Sequence, residues 1–218
     1  MIIKRIKLEN YTVFEDHQIE FDPGINIFIG ENGTGKTHLF KVLYSACQCV
    51  DQRVSFSHKL VSTMLPDDYK ISRLITRKQG NRSALIRIFA GERDVTQERV
   101  LSASFHGKTK KWDAEVTGEK GWEEPESNIN PSYISIIVEL LLELQRKGVQ
   151  VFVSTHDYMI ASYFEVRKAK NDSIAFHSLS HVGKTCDLIY EKKEKFADLK
   201  NNAIVSAFDK LLDEIYDL

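Results

Sequence analysis

The sequence predicts a mixed α/β fold, in which a sheet containing parallel strands is joined to an antiparallel β subdomain. Three observations predict it. The apolar run Ile25-Asn26-Ile27-Phe28-Ile29 leads straight into the glycine-rich stretch G-E-N-G-T-G-K-T at 30–37, and a helical pattern follows at once. Residues 84–90, 100–106 and 111–117 alternate apolar and polar side chains, as antiparallel strands with one solvated face do. A helix and a short apolar strand then follow at 131–148 and 149–153, the alternation expected of a parallel sheet.

In chain order, Ile2, Ile6 and Leu8 fall on one side of a first strand, 11–21 offers a second, and Asp22-Pro23-Gly24 is a turn. The glycine-rich loop therefore comes third, after a hairpin. That order argues against nucleotide kinases and small GTPases, in which such a loop follows the first strand. Residues 35 to 50 read as a helix with Leu39, Val42, Leu43 and Ala46 on one face. The polar stretch 51–79 is a helical or loop excursion without a clear period. Pro131 and Ser132 open a strong helix carrying Ile134, Ile137, Val138, Leu141 and Leu142, and Gly148 stops it. The strand at 149–153 ends at Ser154-Thr155-His156, and a helix at 157–168, strands at 173–179 and 185–191, and an amphipathic helix at 202–216 complete the pattern.

Charge and cysteine usage narrow the function classes. The 218 residues carry 30 basic and 31 acidic side chains for a net charge of −1, so bulk charge gives no support to nucleic-acid or membrane binding. The three cysteines, Cys47, Cys49 and Cys186, suggest neither a disulfide framework nor a metal cage and read as packed thiols of a cytoplasmic protein. The most apolar stretch, 134–144, is interrupted by Glu139 and Glu143 and is too short to span a bilayer. The first five residues do not read as a signal peptide.

The loop carries the chemistry. Its glycines let backbone N–H groups curl around a phosphate, and the new helix offers its positive end to the same charge. Asn32, Gly33, Thr34, Gly35, Lys36, Thr37 and His38 are the candidate contacts, with Lys36 bridging the β- and γ-phosphates and the Thr37 hydroxyl on Mg²⁺. In the acidic segment 123–131, Glu124 is the candidate general base and Glu123 the carboxylate on the metal side; an acidic turn capping the next helix is the bland alternative. His156, at the end of an apolar strand, stands where a side chain at the carboxyl edge of a parallel sheet reaches a bound γ-phosphate.

These pieces together resemble the nucleotide-binding head of the ABC-type ATPases, within the P-loop NTPases, and specifically the prokaryotic RecF/SMC-like AAA proteins that include the OLD nucleases. The opening residues 2–11, the loop at 30–37, Glu124-Pro125-Glu126-Ser127-Asn128 and Ser154-Thr155-His156-Asp157 bracket most of the chain in family order. The resemblance implies a single head over 1–218, with Lys36 and Thr37 in Walker A, Glu123 and Glu124 ending Walker B, residues 127–130 in the D-loop, His156 as the switch histidine, and Gln48 or Gln52 as the Q-loop glutamine. It implies ATP and Mg²⁺ as ligands and a homodimer closing around the nucleotide. Tyr11 or Phe14 would be the adenine-stacking aromatic, with a core role as the alternative.

Two departures qualify the match. The approach to Glu123 is Thr117-Gly118-Glu119-Lys120-Gly121-Trp122, a hairpin-turn sequence where a buried aliphatic strand belongs. No Ser-Gly-Gly-like signature occurs, so the signature or helical lobe is absent from the sequence; an internal lobe missing near 122–124 is the economical explanation, and a naturally degenerate head is the alternative. The expected function is an ATP-binding head that hydrolyses weakly by itself and gates a partner. A nucleotide-sensing module controlling a nuclease or toxin in anti-phage defence, and a head acting on DNA ends, are the alternatives.

Overall fold

The computed structural model describes residues 1–49, 55–77, 82–93, 95–118, 134–181 and 187–202, together with positions 204–206, 209, 213 and 214. In chain order the elements are β1 (Ile2–Tyr11), β2 (Phe14–Glu20), β3 (Ile25–Gly30), α1 (Lys36–Gln48), α2 (Phe56–Met64), β4 (Ser83–Gly91), β5 (Arg99–His106) and β6 (Glu115–Thr117), then α3 (Ile134–Arg146), β7 (Val151–Thr155), α4 (Tyr158–Arg167), β8 (Ile174–His181) and β9 (Leu188–Lys193). They fall into two compact units, one comprising Met1–Phe21 and Thr37–Pro125, the other Asp22–Lys36 and Glu126–Leu218.

The first unit is built on an antiparallel sheet in the order β2-β1-β4-β5-β6. Alternation along β4 and β5 buries Ala84, Ile86, Ile88 and Ala90 with Leu101, Ala103 and Phe105, while Arg87 and Arg99 face outward. On β1 the buried residues are Ile3, Ile6, Leu8 and Tyr11; Ile2, expected inside, is only partly covered. The β1–β4 register shifts between Ile3 and Arg5, and one extra residue at such a bulge moves the chain's inward face by one position. Tyr11 and Phe14 are both fully buried, so neither offers a ring face for adenine, and the core alternative holds. The apolar face of α1, Leu39, Val42, Leu43 and Ala46, is buried as its spacing predicts. Cys47 and Cys49 are buried thiols, the latter donating to the Ser45 carbonyl.

The excursion at 51–79 contains α2 and two 3-10 turns, Asp67–Tyr69 and Ile71–Leu74. The strand expected over 111–117 shrinks to Glu115–Thr117. Lys111 has φ +44°, and turns such as Thr109 N–H to the His106 carbonyl (2.9 Å) and Asp113 N–H to the Lys110 carbonyl (3.0 Å) occupy the backbone that a ladder would need.

The second unit carries a sheet in the order β7-β3-β8-β9, with β3 parallel to both neighbours and β9 antiparallel to β8. Ile25, Ile27 and Ile29 point into one core with Val138 and Leu142 of α3, Ala161 and Phe164 of α4, Phe176 and Phe196. The opposite face of β3 is also buried, which explains its near-continuous apolar run. Its polar member Asn26 is satisfied there: Asn26 Nδ2 donates to the Asp22 carbonyl (2.8 Å), and its Oδ1 accepts from the Asp22 N–H (2.7 Å) and lies 3.0 Å from His177 Nε2. His177 stacks on Phe28 with centroids 4.4 Å apart and bonds the Tyr190 hydroxyl through Nδ1 (2.9 Å). Burial, with a smaller contribution from Lys192, pushes the His177 imidazole down to about 3, so it is neutral at pH 7.

Gly148, at φ +90°, ends α3 as expected. The N–H groups of Gly148 and Val149 still bond helix carbonyls, Gln145 (2.9 Å) and Leu144 (3.1 Å), so β7 starts two residues later than the apolar pattern suggested and takes in Ser154 and Thr155. Of the C-terminal helix, the described start is capped by Asn202, whose Oδ1 accepts from the Ile204 and Val205 N–H groups at 3.2 and 3.3 Å. Among the described residues no helix is long and apolar enough to cross a membrane.

Candidate functional site

The site begins where β3 runs out of partners. Gly30 pairs with Leu179 of β8, and a Cβ on Gly30 would collide with the Leu179 carbonyl oxygen, so only glycine permits this approach of backbones. Gly33 and Gly35, at φ +87° and +88°, take conformations that side chains disfavour and that let a short loop turn its N–H groups to one side. Thr34 is fully buried, and its hydroxyl donates to the Glu31 carbonyl (2.9 Å), closing the loop on itself.

Lys36 is 5% exposed, and its ammonium donates to the carbonyls of Gly30 (2.6 Å) and Glu31 (2.7 Å) and to Thr34 Oγ1 (3.3 Å). All three of its protons are thus engaged. Burial pushes its pKa down to about 8, partly offset by the charge of Glu31, so it remains protonated at pH 7. A buried cation whose hydrogen bonds all go to neutral acceptors is an electrostatic invitation to an anion. Asn32 and Gly33 are exposed at the loop's tip, and Thr37 is exposed in the first turn of α1. His38 is half-buried, its Nδ1 finds no partner among the described residues, and burial followed by Lys41 lowers its pKa, so the ring is neutral at pH 7.

His156 is exposed and follows β7 directly. Thr155, the last residue of β7, pairs with Ile29 in the parallel register, so His156 leaves the sheet at the same end of β3 from which the loop departs. Two bonds fix this corner: Asp157 N–H donates to Thr155 Oγ1 (3.0 Å), and Asp157 Oδ1 accepts from the Met159 N–H (2.7 Å), capping α4. The glycine cradle and the buried ammonium fit a polyphosphate. Glu123, Glu124, residues 127–130 and Gln52 lie outside the described residues; Gln48 ends α1, half-buried. Among the described residues, no group of three or more His, Cys, Asp or Glu could hold a metal by itself. Sequence reasoning named Thr34 as a phosphate contact but not its bond to the Glu31 carbonyl, and it missed the Leu179 carbonyl, because nothing local marks the pairing of β8 with β3.

The model of the AAA domain family AAA_23 matches residues 5–217. The DNA replication and repair protein RecF of Streptococcus agalactiae is 34% identical over 88 residues, which cover 40% of this chain and 24% of that protein. The match thus spans about a quarter of the relative's length. Among solved structures, the SMC head domain from Thermotoga maritima superposes with a TM-score of 0.55 at 11% identity, covering 89% of this chain and 100% of that one. An SMC head bound to the C-winged helix domain of ScpA gives 0.56 at 9% identity, covering 88% and 98%. At these identities the structural likeness concerns the fold: a mixed α/β arrangement with an antiparallel and a mixed sheet.

Proposed function

The chain belongs to the AAA domain family as an ATP-binding head of the ABC type related to RecF and SMC heads, and from that premise we propose that it binds Mg·ATP and hydrolyses it slowly between two copies of itself. The observation that carries the reading is Lys36, a protonated ammonium held inside the loop by two carbonyls and the Thr34 hydroxyl. The loop N–H groups and the N-terminal end of α1 receive the phosphates, with Asn32 through His38 around them, and Lys36 spans the β- and γ-phosphates. Thr37 and Glu123 would hold Mg²⁺, which would supply charge neutralisation to the phosphates. Glu124 accepts the proton of the water that attacks the γ-phosphorus, and His156 steadies the γ-phosphate from β7.

Residues 1–218 then act as one cytoplasmic head whose opening and closing gates a partner, and the lobe that would cap the opposite γ-phosphate is missing near 122–124. The test is light scattering of Glu124→Gln protein with and without Mg·ATP. A monomer-to-dimer shift that Lys36→Ala abolishes supports the reading; an unchanged monomer that still binds ATP overturns the dimer. A head acting on DNA is the second reading, favoured by the likeness to a DNA replication and repair protein. It requires that DNA stimulate ATP turnover, and a rate indifferent to DNA overturns it.

A further inference from the structure

The phosphate loop has two flanks, and only one of them has been given a task. On the side of β7 stands His156; on the side of β8 the strand does not stop at Leu179, the partner of Gly30, but continues through Ser180 to His181. At ~3.3 Å per residue, His181 lies about 6–7 Å beyond the level at which β3 gives way to the loop. Its backbone is held there by pairing with Leu188 of β9. Side chains alternate along β8, so His181 shares the face of Leu179 and of His177, whose ring stacks on Phe28 of β3. It is thus on the face of β3 to which Gly30 belongs.

His181 is half-buried, and its Nδ1 is enclosed without a hydrogen-bond partner among the described residues. An enclosed lone pair costs less than an enclosed N–H left unpaired, so Nδ1 is the ring nitrogen better left without a proton and Nε2 is the one that offers a donor. We propose that His181 is a binding residue for the nucleoside end of the nucleotide, its Nε2–H donating to a ribose hydroxyl or a ring nitrogen of the base. This rests on the ATP-binding reading above. With the γ-phosphate steadied from β7, the triphosphate crosses the loop and its nucleoside end leaves on the opposite flank, over the end of β8.

The decisive comparison is calorimetric binding of Mg·ATP and of magnesium tripolyphosphate, which has the phosphates without the nucleoside, to wild type, His181→Ala and His181→Gln. We expect His181→Ala to weaken Mg·ATP by about five- to tenfold, the worth of one net hydrogen bond, with tripolyphosphate unchanged. His181→Gln, which keeps a donor, recovers part of the loss. Equal weakening of both ligands, or of neither, overturns the assignment. Wild-type protein that takes tripolyphosphate but gains nothing from the nucleoside overturns it while sparing the phosphate site, whereas failure to bind either ligand overturns the ATP-binding reading as well. Superimposable thermal melts of the variants establish that folding is not the cause.

Discussion

Two glycines of the phosphate loop are held by different physics, and substitution separates them. Gly33 has open space where a Cβ would go and only its φ of +87° to protect, so Gly33→Ala costs about 1 kcal/mol of backbone strain. Gly30 faces the Leu179 carbonyl, and Gly30→Ala must push two backbones apart, at roughly 3 kcal/mol or more. Urea denaturation measures both, and equal losses would contradict the close approach of β3 and β8. The buried His177 makes a second residue-scale prediction. An imidazole of ordinary pKa, ~6.5, in the unfolded chain and about 3 in the folded one means that the unfolded state binds the extra proton between those values. Stability is therefore complete above pH 6.5 and declines as pH falls toward 3, by about 2 kcal/mol between pH 7 and pH 5. His177→Asn, compared with wild type across that range, should flatten the slope; an unchanged slope assigns the acid sensitivity to other groups. The motif around Lys36 was legible as a string of residue types. The three bonds that hold its ammonium were not, since they depend on how the loop closes.

At the scale of elements, the corner that presents His156 depends on the cap of α4. Asp157→Ala removes the acceptor of the Met159 N–H and should cost about 1 kcal/mol, read as a lowered urea midpoint with an unchanged m-value. An undiminished midpoint would mean that α4 starts without its cap. Helices were legible here because their 3.6-residue period survives small boundary errors: all four residues expected on the inner face of α1 are buried, with Ser45 and Cys47 buried beside them. Strands were less so, because a period of two is inverted by a single extra residue. The register shift near Lys4 exchanges Ile3 for Ile2 in the core, and the helical bonds of Gly148 and Val149 move the start of β7 to Val151. The 111–117 strand failed for a third reason, a positive φ at Lys111 that apolar–polar alternation does not encode.

For the whole molecule, the family and the phosphate loop were legible because a phosphate site needs contiguous residues, whereas the pairing of β3 with strands far along the chain leaves no local trace. Nucleotide binding should nevertheless be measurable across the entire chain. A ligand that binds only the folded state adds free energy by mass action, about 2.7 kcal/mol at a hundredfold excess over Kd. For a chain of 218 residues, each kcal/mol moves the melting midpoint by about 2–4 °C, so saturating Mg·ATP should raise it by roughly 5–10 °C. Lys36→Ala should abolish the rise, because the charge that meets the phosphates is gone. The variant's own midpoint without nucleotide should change little, since deleting a cation that burial holds near a pKa of 8 removes its desolvation cost along with its bonds to the Gly30 and Glu31 carbonyls. A rise that persists in Lys36→Ala would place the nucleotide somewhere other than this loop, and a midpoint that collapses without nucleotide would make Lys36 a structural residue first.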